Sequence, residues 1–428
     1  MKITTSAALS RRKFLAGTAA IGAATAVSTF PSPAISIPKT LKIGFVTPQT
    51  GALALFAEPD EFVLSQFREK LAQGLSINGA KHPIEFIVKD SQSSSNRAAS
   101  VAEELIFRDE VDIITATSTP DTTNPVADQA ELNGVPCLTN DTPWQAHFFG
   151  RQGDPRVGFE WTYHFFWGLE DVIGTFSNMW GTLGSNKVVG ALWPNDPDGN
   201  AWSDPTNGFP GVLTPKGYTI IDTGRYQNLS GDFTAQIAAF KAAGVEIVTG
   251  VVVPPDFNTF WTQAAQQGFK PKIASIAKAI EFPQAAAALG DRADGLTTEV
   301  WWSPKHPFSS GFTGQSSAEL ATGYEKATNS TWNMTLGIKH ALFEVAIDAL
   351  SRAQDPTDPA SIRDAIRATS YNSVVGPIDF SKGPVPNVAK TPLVGGQWSL
   401  AGARPELVIV ENSGYPSIPL GGEIRPLS

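Results

Sequence analysis

One cysteine in 428 residues, Cys137, excludes an intrachain disulfide and any cluster of thiolate metal ligands. It lies inside an apolar run, VPCL, which suits a buried small hydrophobe better than a reactive thiol. The five histidines, His82, His147, His164, His306 and His340, are scattered, with no pair at helical ligand spacing and no G-x-S-x-G elbow to seat a nucleophile. The glycine loops G-x-G-x-x-G and G-x-x-x-x-G-K-[ST] are missing as well. Triad hydrolysis, zinc chemistry and dinucleotide binding therefore lack their signatures. An acidic run at 195–200, NDPDGN, has its glycine misplaced for a calcium loop and no closing glutamate, which leaves a turn at a strand end.

Positive charge is also scarce. Against 41 Asp and Glu stand 32 Lys and Arg, a net charge of -9 with a pI near 5.2, which argues against a nucleic-acid groove or an anionic membrane surface as partner. No segment supplies eighteen uninterrupted apolar residues, so a membrane-spanning helix is not expected. The one basic cluster opens the chain: Ser10-Arg11-Arg12-Lys13-Phe14-Leu15 precedes an Ala/Gly-rich stretch to about Val27, then Ser32-Pro33-Ala34. Residues 1–35 resemble a twin-arginine export signal. The expectation is cargo of the twin-arginine translocase: a soluble, monomeric periplasmic protein. Cys137 is too far along the chain to carry a lipid anchor.

What is present is an alternation of strand and helix patterns in a chain long enough for two domains. Strand-like runs at 41–47, 83–88, 111–117 and 135–138 are separated by helical periodicity at 59–71, 96–107 and 122–132, which implies a parallel sheet with right-handed crossovers. After a crossing near Trp161 the pattern restarts, with strands at 187–193, 218–222, 245–253, 272–276 and 296–302. Helices follow at 318–328, 334–353 and 360–368. From Val374 the composition turns to Gly, Pro and short β-like runs of hairpin type.

Two adjacent strand ends carry polar turns, Ser118-Thr119-Pro120-Asp121 and Thr139-Asn140-Asp141-Thr142. In open α/β sheets that edge is where ligands bind, although Ser, Thr and Asp also cap helices. The strand-turn LKIGFVTPQTG, the acidic helix start after Phe56, the stretch DIITATSTPDTTNPVADQAELNGVPCLTND, the segment KVVGALWPNDPDGN and the late VVGPIDFSKG together resemble the periplasmic solute-binding proteins of the leucine/isoleucine/valine type. The likeness runs from about Leu41 to the end of the chain. It implies two Rossmann-like α/β lobes, each a parallel sheet flanked by helices, joined by a multi-strand hinge. Lobe 1 would comprise 40–160 and 303–375, and lobe 2 would comprise 161–302 and 376–428. It also implies no catalysis, no cofactor, a small-molecule ligand in the interlobe cleft, and docking on the membrane permease of an ABC-type uptake transporter.

Carried over by position, the first lobe's half of the cleft falls on Phe56, Ser118, Thr119, Asp121, Asp141, Thr142 and Trp144. The acidic residue that takes a ligand ammonium in amino-acid binders aligns with Lys278, or with Glu281 if the alignment slips. A lysine there points to an anionic solute, such as an aromatic or apolar carboxylate, alongside the amino acid-like class. Among the 11 tryptophans, Trp144, Trp193, Trp202, Trp301 and Trp302 fall at or just past strand ends, and of these Trp144, Trp193 and Trp302 are taken as candidate pocket walls. Competing readings are a ligand sensor on the same fold and an exported enzyme.

Overall fold

A computed structural model of the protein describes residues 38–402 and 404–427, and the expected export signal lies outside them. Runs of β-branched and small apolar residues form the central strands. Ile113–Ala116, Ile247–Val251 and Ile273–Ala277 are buried along their whole length, as strands covered by helices on both faces must be. They assemble into two sheets. The first has six parallel strands in the order Val388–Ala389, Thr162–Phe165, Cys137–Asn140, Ile113–Ala116, Leu41–Thr47 and Ile84–Asp90. The second runs Glu406–Glu411, Val394–Ser399, Thr297–Val300, Ile273–Ala277, Ile247–Val251, Val188–Leu192 and Thr219–Asp222. Its last five are parallel, and the tail adds the antiparallel hairpin that the composition shift suggested.

The intervening helices begin and end where local chemistry dictates. Ser94 accepts the Arg97 N–H at 3.4 Å to start Ser95–Phe107, and Gly134, at φ 69°, ends Pro120–Asn133. Ser316 and Glu319 form a reciprocal capping box on Ser317–Thr328. Among the described residues no helix is long and apolar enough to cross a membrane.

The chain passes between the sheets three times, at 166–168, within 301–316 and at 390–393. The first passage comes later than the expected crossing near Trp161. Thr162–Phe165 continues the register of Cys137–Asn140, burying Tyr163 and Phe165 in the first sheet. The return passage is also later than position 376. Ser370–Ser373 pairs with Gly376–Asp379 beside the helix Thr335–Arg352, and Val388–Ala389 then extends the first sheet before Val394 enters the second. The two late shifts put Phe166, Trp167 and residues 390–393 in the segments that connect the sheets.

Candidate ligand cavity between the sheets

A cavity of about 30 Å³ lies between the carboxyl ends of the two parallel sheets. Its walls come from strand ends and from the turns and short helices that follow them. Phe56, Thr119, Asp141 and Trp167 come from the first sheet, and Asp198, Trp202, Lys278, Glu281, Glu299 and Trp301 from the second. Three of those turns hold a non-glycine residue in the left-handed region: Ser118 at φ 117°, Asp141 at φ 60° and Lys278 at φ 66°. Such conformations cost roughly 1–3 kcal/mol each and gather at ligand sites. The tying contacts are visible. Thr142 Oγ1 donates to the Ser118 carbonyl at 3.1 Å, Thr117 Oγ1 donates to Asp141 Oδ2 at 3.4 Å, and the Lys278 N–H donates to Glu281 Oε1 at 2.6 Å.

Charge in the cavity is arranged around Lys278. Its Nζ lies 2.6 Å from Asp198 Oδ2 and 3.7 Å from Asp196 Oδ2, all three side chains being buried. Asp196 is fixed in turn: it caps the helix Pro197–Trp202 by accepting the Gly199 N–H at 2.7 Å and accepts from Asn228 Nδ2 at 2.8 Å. Burial opposes the lysine's charge, but the two aspartates outweigh it and raise its pKa. The carboxyls respond the other way. Burial pushes Asp121 and Glu299 each up to about 7, raises Asp198 above its ordinary value, and raises Asp141 and Glu281 well above theirs. Glu281 is raised further by the charge of Glu299. Among the described residues several buried polar atoms find no hydrogen-bond partner: Ser118 Oγ, Thr119 Oγ1, Asp198 Oδ1, Glu281 Oε2, Lys278 Nζ outside its ion pairs, and the indole N–H groups of Trp167, Trp202 and Trp301.

Of the residues expected from sequence, Phe56, Thr119, Asp141 and Lys278 line the cavity. Ser118 and Thr142 are wholly buried in the supporting turns, and Asp121 stands behind, within the field of Lys278. Three tryptophans are placed elsewhere. Trp144 donates its indole N–H to Glu170 Oε1 at 3.2 Å and leans on Phe149. Trp193 packs behind Trp202, with ring centroids 6.1 Å apart. Trp302 faces the first sheet's helix, donating to Ser317 Oγ at 3.2 Å and abutting Gly337. Consecutive residues leaving a strand point to opposite sides, so only Trp301 of that pair reaches the cavity. Sequence reasoning missed Phe166, Trp167, Asp198 and Glu299 as wall residues. Glu299 carried a signal, an acid inside the otherwise uncharged strand TTEV. The partners of Lys278, Asp196 and Asp198, come from a turn some eighty residues earlier in the chain and were not legible as such in the sequence.

Across known structures, the leucine-binding protein LivK of Thermotoga maritima superposes with a TM-score of 0.73 at 18% identity, covering 88% of this chain and 99% of that one. A solute-binding protein of an ABC transporter from Rhodopseudomonas palustris, in complex with 4-hydroxybenzoate, gives 0.72 at 13% identity, covering 87% and 96%. LivJ of Streptococcus pneumoniae, in complex with isoleucine, gives 0.68 at 16% identity, covering 86% and 99%. These likenesses establish the type I periplasmic binding fold. The profile of the periplasmic binding protein family matches residues 40–399, nearly all of the described chain, and this protein belongs to that family.

Proposed function

We propose that this protein is the solute receptor of an ABC-type uptake transporter. It is exported by the twin-arginine route, works in the periplasm as a monomer, and delivers a small organic solute to a membrane permease. The observation that carries the reading is the cavity itself. Groups from both sheets converge on it, and Thr119 Oγ1, Asp198 Oδ1 and Trp301 Nε1 are buried there without partners. Each such group costs about 1–3 kcal/mol, which a bound solute making those hydrogen bonds would offset. Leucine, isoleucine and 4-hydroxybenzoate, named for the similar proteins, bracket the size and character of the solute as amino acid-like or aromatic.

Mass spectrometry of small molecules released from natively purified protein tests the reading. One solute near stoichiometry is expected, and its rebinding should change the tryptophan fluorescence, because Trp167, Trp202 and Trp301 border the cavity. Steady conversion of that solute to a product would sink the receptor reading. For export, the double change Arg11→Lys and Arg12→Lys should leave the precursor in the cytoplasm. Periplasmic recovery of that variant at the unmodified level would refute the twin-arginine route.

A further inference from the structure

The charge balance of the cavity narrows the solute. Four carboxyl side chains line it, Asp141, Asp198, Glu281 and Glu299, against one cation, Lys278. That lysine already faces Asp198 at 2.6 Å and Asp196 at 3.7 Å, so a ligand anion would have to compete for it with two buried carboxylates. The acids, by contrast, are short of donors. Asp198 Oδ1 and Glu281 Oε2 have no hydrogen-bond partner among the described residues although the two residues are only 2% and 3% exposed, and Glu299 beside them is 1% exposed. Four buried carboxyls against one lysine favour a cation over an anion in the charge balance of the site.

The apolar walls fit the same visitor. Phe166, Trp167 and Trp301 form a contiguous group, with ring centroids 4.9, 5.3 and 6.2 Å apart, and Phe56 and Trp202 complete the enclosure. Aromatic faces attract ammonium groups, most strongly where water is excluded. We infer, resting on the receptor reading, that the solute is an organic amine carried as a cation, its ammonium held by Asp198, Glu281 and Glu299 and its apolar body by Phe166, Trp167 and Trp301, with no carboxylate required. The remaining donors, the Thr119 hydroxyl and the indole N–H groups, can serve a neutral acceptor such as a hydroxyl or carbonyl on the same molecule.

Two matched sets separate the charge of the solute from its shape: phenethylamine, phenylalanine and phenylpropanoate, and isopentylamine, leucine and isocaproate. Affinities come from tryptophan fluorescence titration at neutral pH with ligand-stripped protein. In the set whose body fits, the amine is expected to bind at least as tightly as its amino acid, with the carboxylate about 100-fold weaker or worse. Glu281→Gln and Asp198→Asn should each weaken the amine by about tenfold or more, with thermal melting checking that both variants fold. A carboxylate that outcompetes its amine overturns the inference and leaves the receptor intact, as do amino acids that bind while their amines stay silent. If all six are silent, the solute released from natively purified protein decides. A basic amine supports the inference, a solute without one overturns it, and no solute at all overturns it together with the receptor reading.

Discussion

Glu299 concentrates the physical tension of the site in one carboxyl. It is 1% exposed and accepts from Thr298 Oγ1 at 2.9 Å, while the charge of Asp198 opposes its ionisation. Its pKa is raised from 4.5 to about 7, chiefly by burial. The folded state therefore keeps a proton that the unfolded chain releases above about pH 4.5. Stability from this group is fully present below that pH and is lost as pH rises through about 7. Ligand-free protein should lose on the order of 1–3 kcal/mol of unfolding free energy between about pH 5 and about pH 8. Glu299→Gln, which keeps the shape without the charge, should flatten that slope in denaturant titrations. An unchanged slope would mean that Glu299 holds no extra proton in the folded state. The same carboxyl decides between solutes: a ligand carboxylate about 5 Å from an ionised acid loses about 3 kcal/mol at an effective dielectric near 20.

Cys137 tests burial at the same scale. It is fully buried in its strand, and burial pushes its thiol up to about 12. Alkylation should be negligible in the native protein and complete after unfolding in denaturant. Rapid native labelling would show that the strand Cys137–Asn140 opens readily.

At the scale of elements, the helix Thr335–Arg352 is buried on nearly every side and reaches the hinge through Gly337, where an added Cβ would lie 2.2 Å from the Trp302 indole. Trp302 has little freedom to yield. It donates to Ser317 and packs edge-on against Trp332 at 5.9 Å. Gly337→Ala should destabilise by about 2–4 kcal/mol, despite alanine's better helix propensity, and denaturant unfolding would show it. A neutral or stabilising effect would refute the tight approach. The strands were readable because two-sided burial forces unbroken apolar runs: the run expected at 41–47 is Leu41–Thr47, and the one at 245–253 contains Ile247–Val251. The polar turns at Thr119 and Asp141 were readable for a related reason, since a hydroxyl or acid ending an apolar strand stands out. The left-handed backbone at Ser118, Asp141 and Lys278 was not, because no glycine or Asn-Gly pair advertised it. The pairing of Lys278 with Asp198 was equally hidden, being made only when two turns of the second sheet come together.

For the whole molecule the relevant quantity is the balance between this closed arrangement and an open one. A cavity of about 30 Å³ is smaller than any amino acid or aromatic solute, so entry requires the two sheets to separate about the three connecting segments. Several contacts resist that separation. Phe56 from the first half meets Phe282 from the second edge-on at 4.9 Å, Glu58 accepts from Gln284 beside them, and the helix Pro197–Trp202 touches both Pro120–Asn133 and Trp144–Phe148 across the cleft. Phe56 is 3% exposed and sits at the cavity wall, so its removal weakens closure with little effect on either sheet's own core. The aromatic pair and the area it buries amount to about 1–3 kcal/mol. Phe56→Ala should then shift the closing equilibrium toward the open form by roughly 10- to 100-fold. Small-angle scattering should report a larger radius of gyration for the ligand-free variant, and stopped-flow fluorescence a faster release of bound solute. Wild-type values for both would place the restraint on closure elsewhere, in the contacts among those helices.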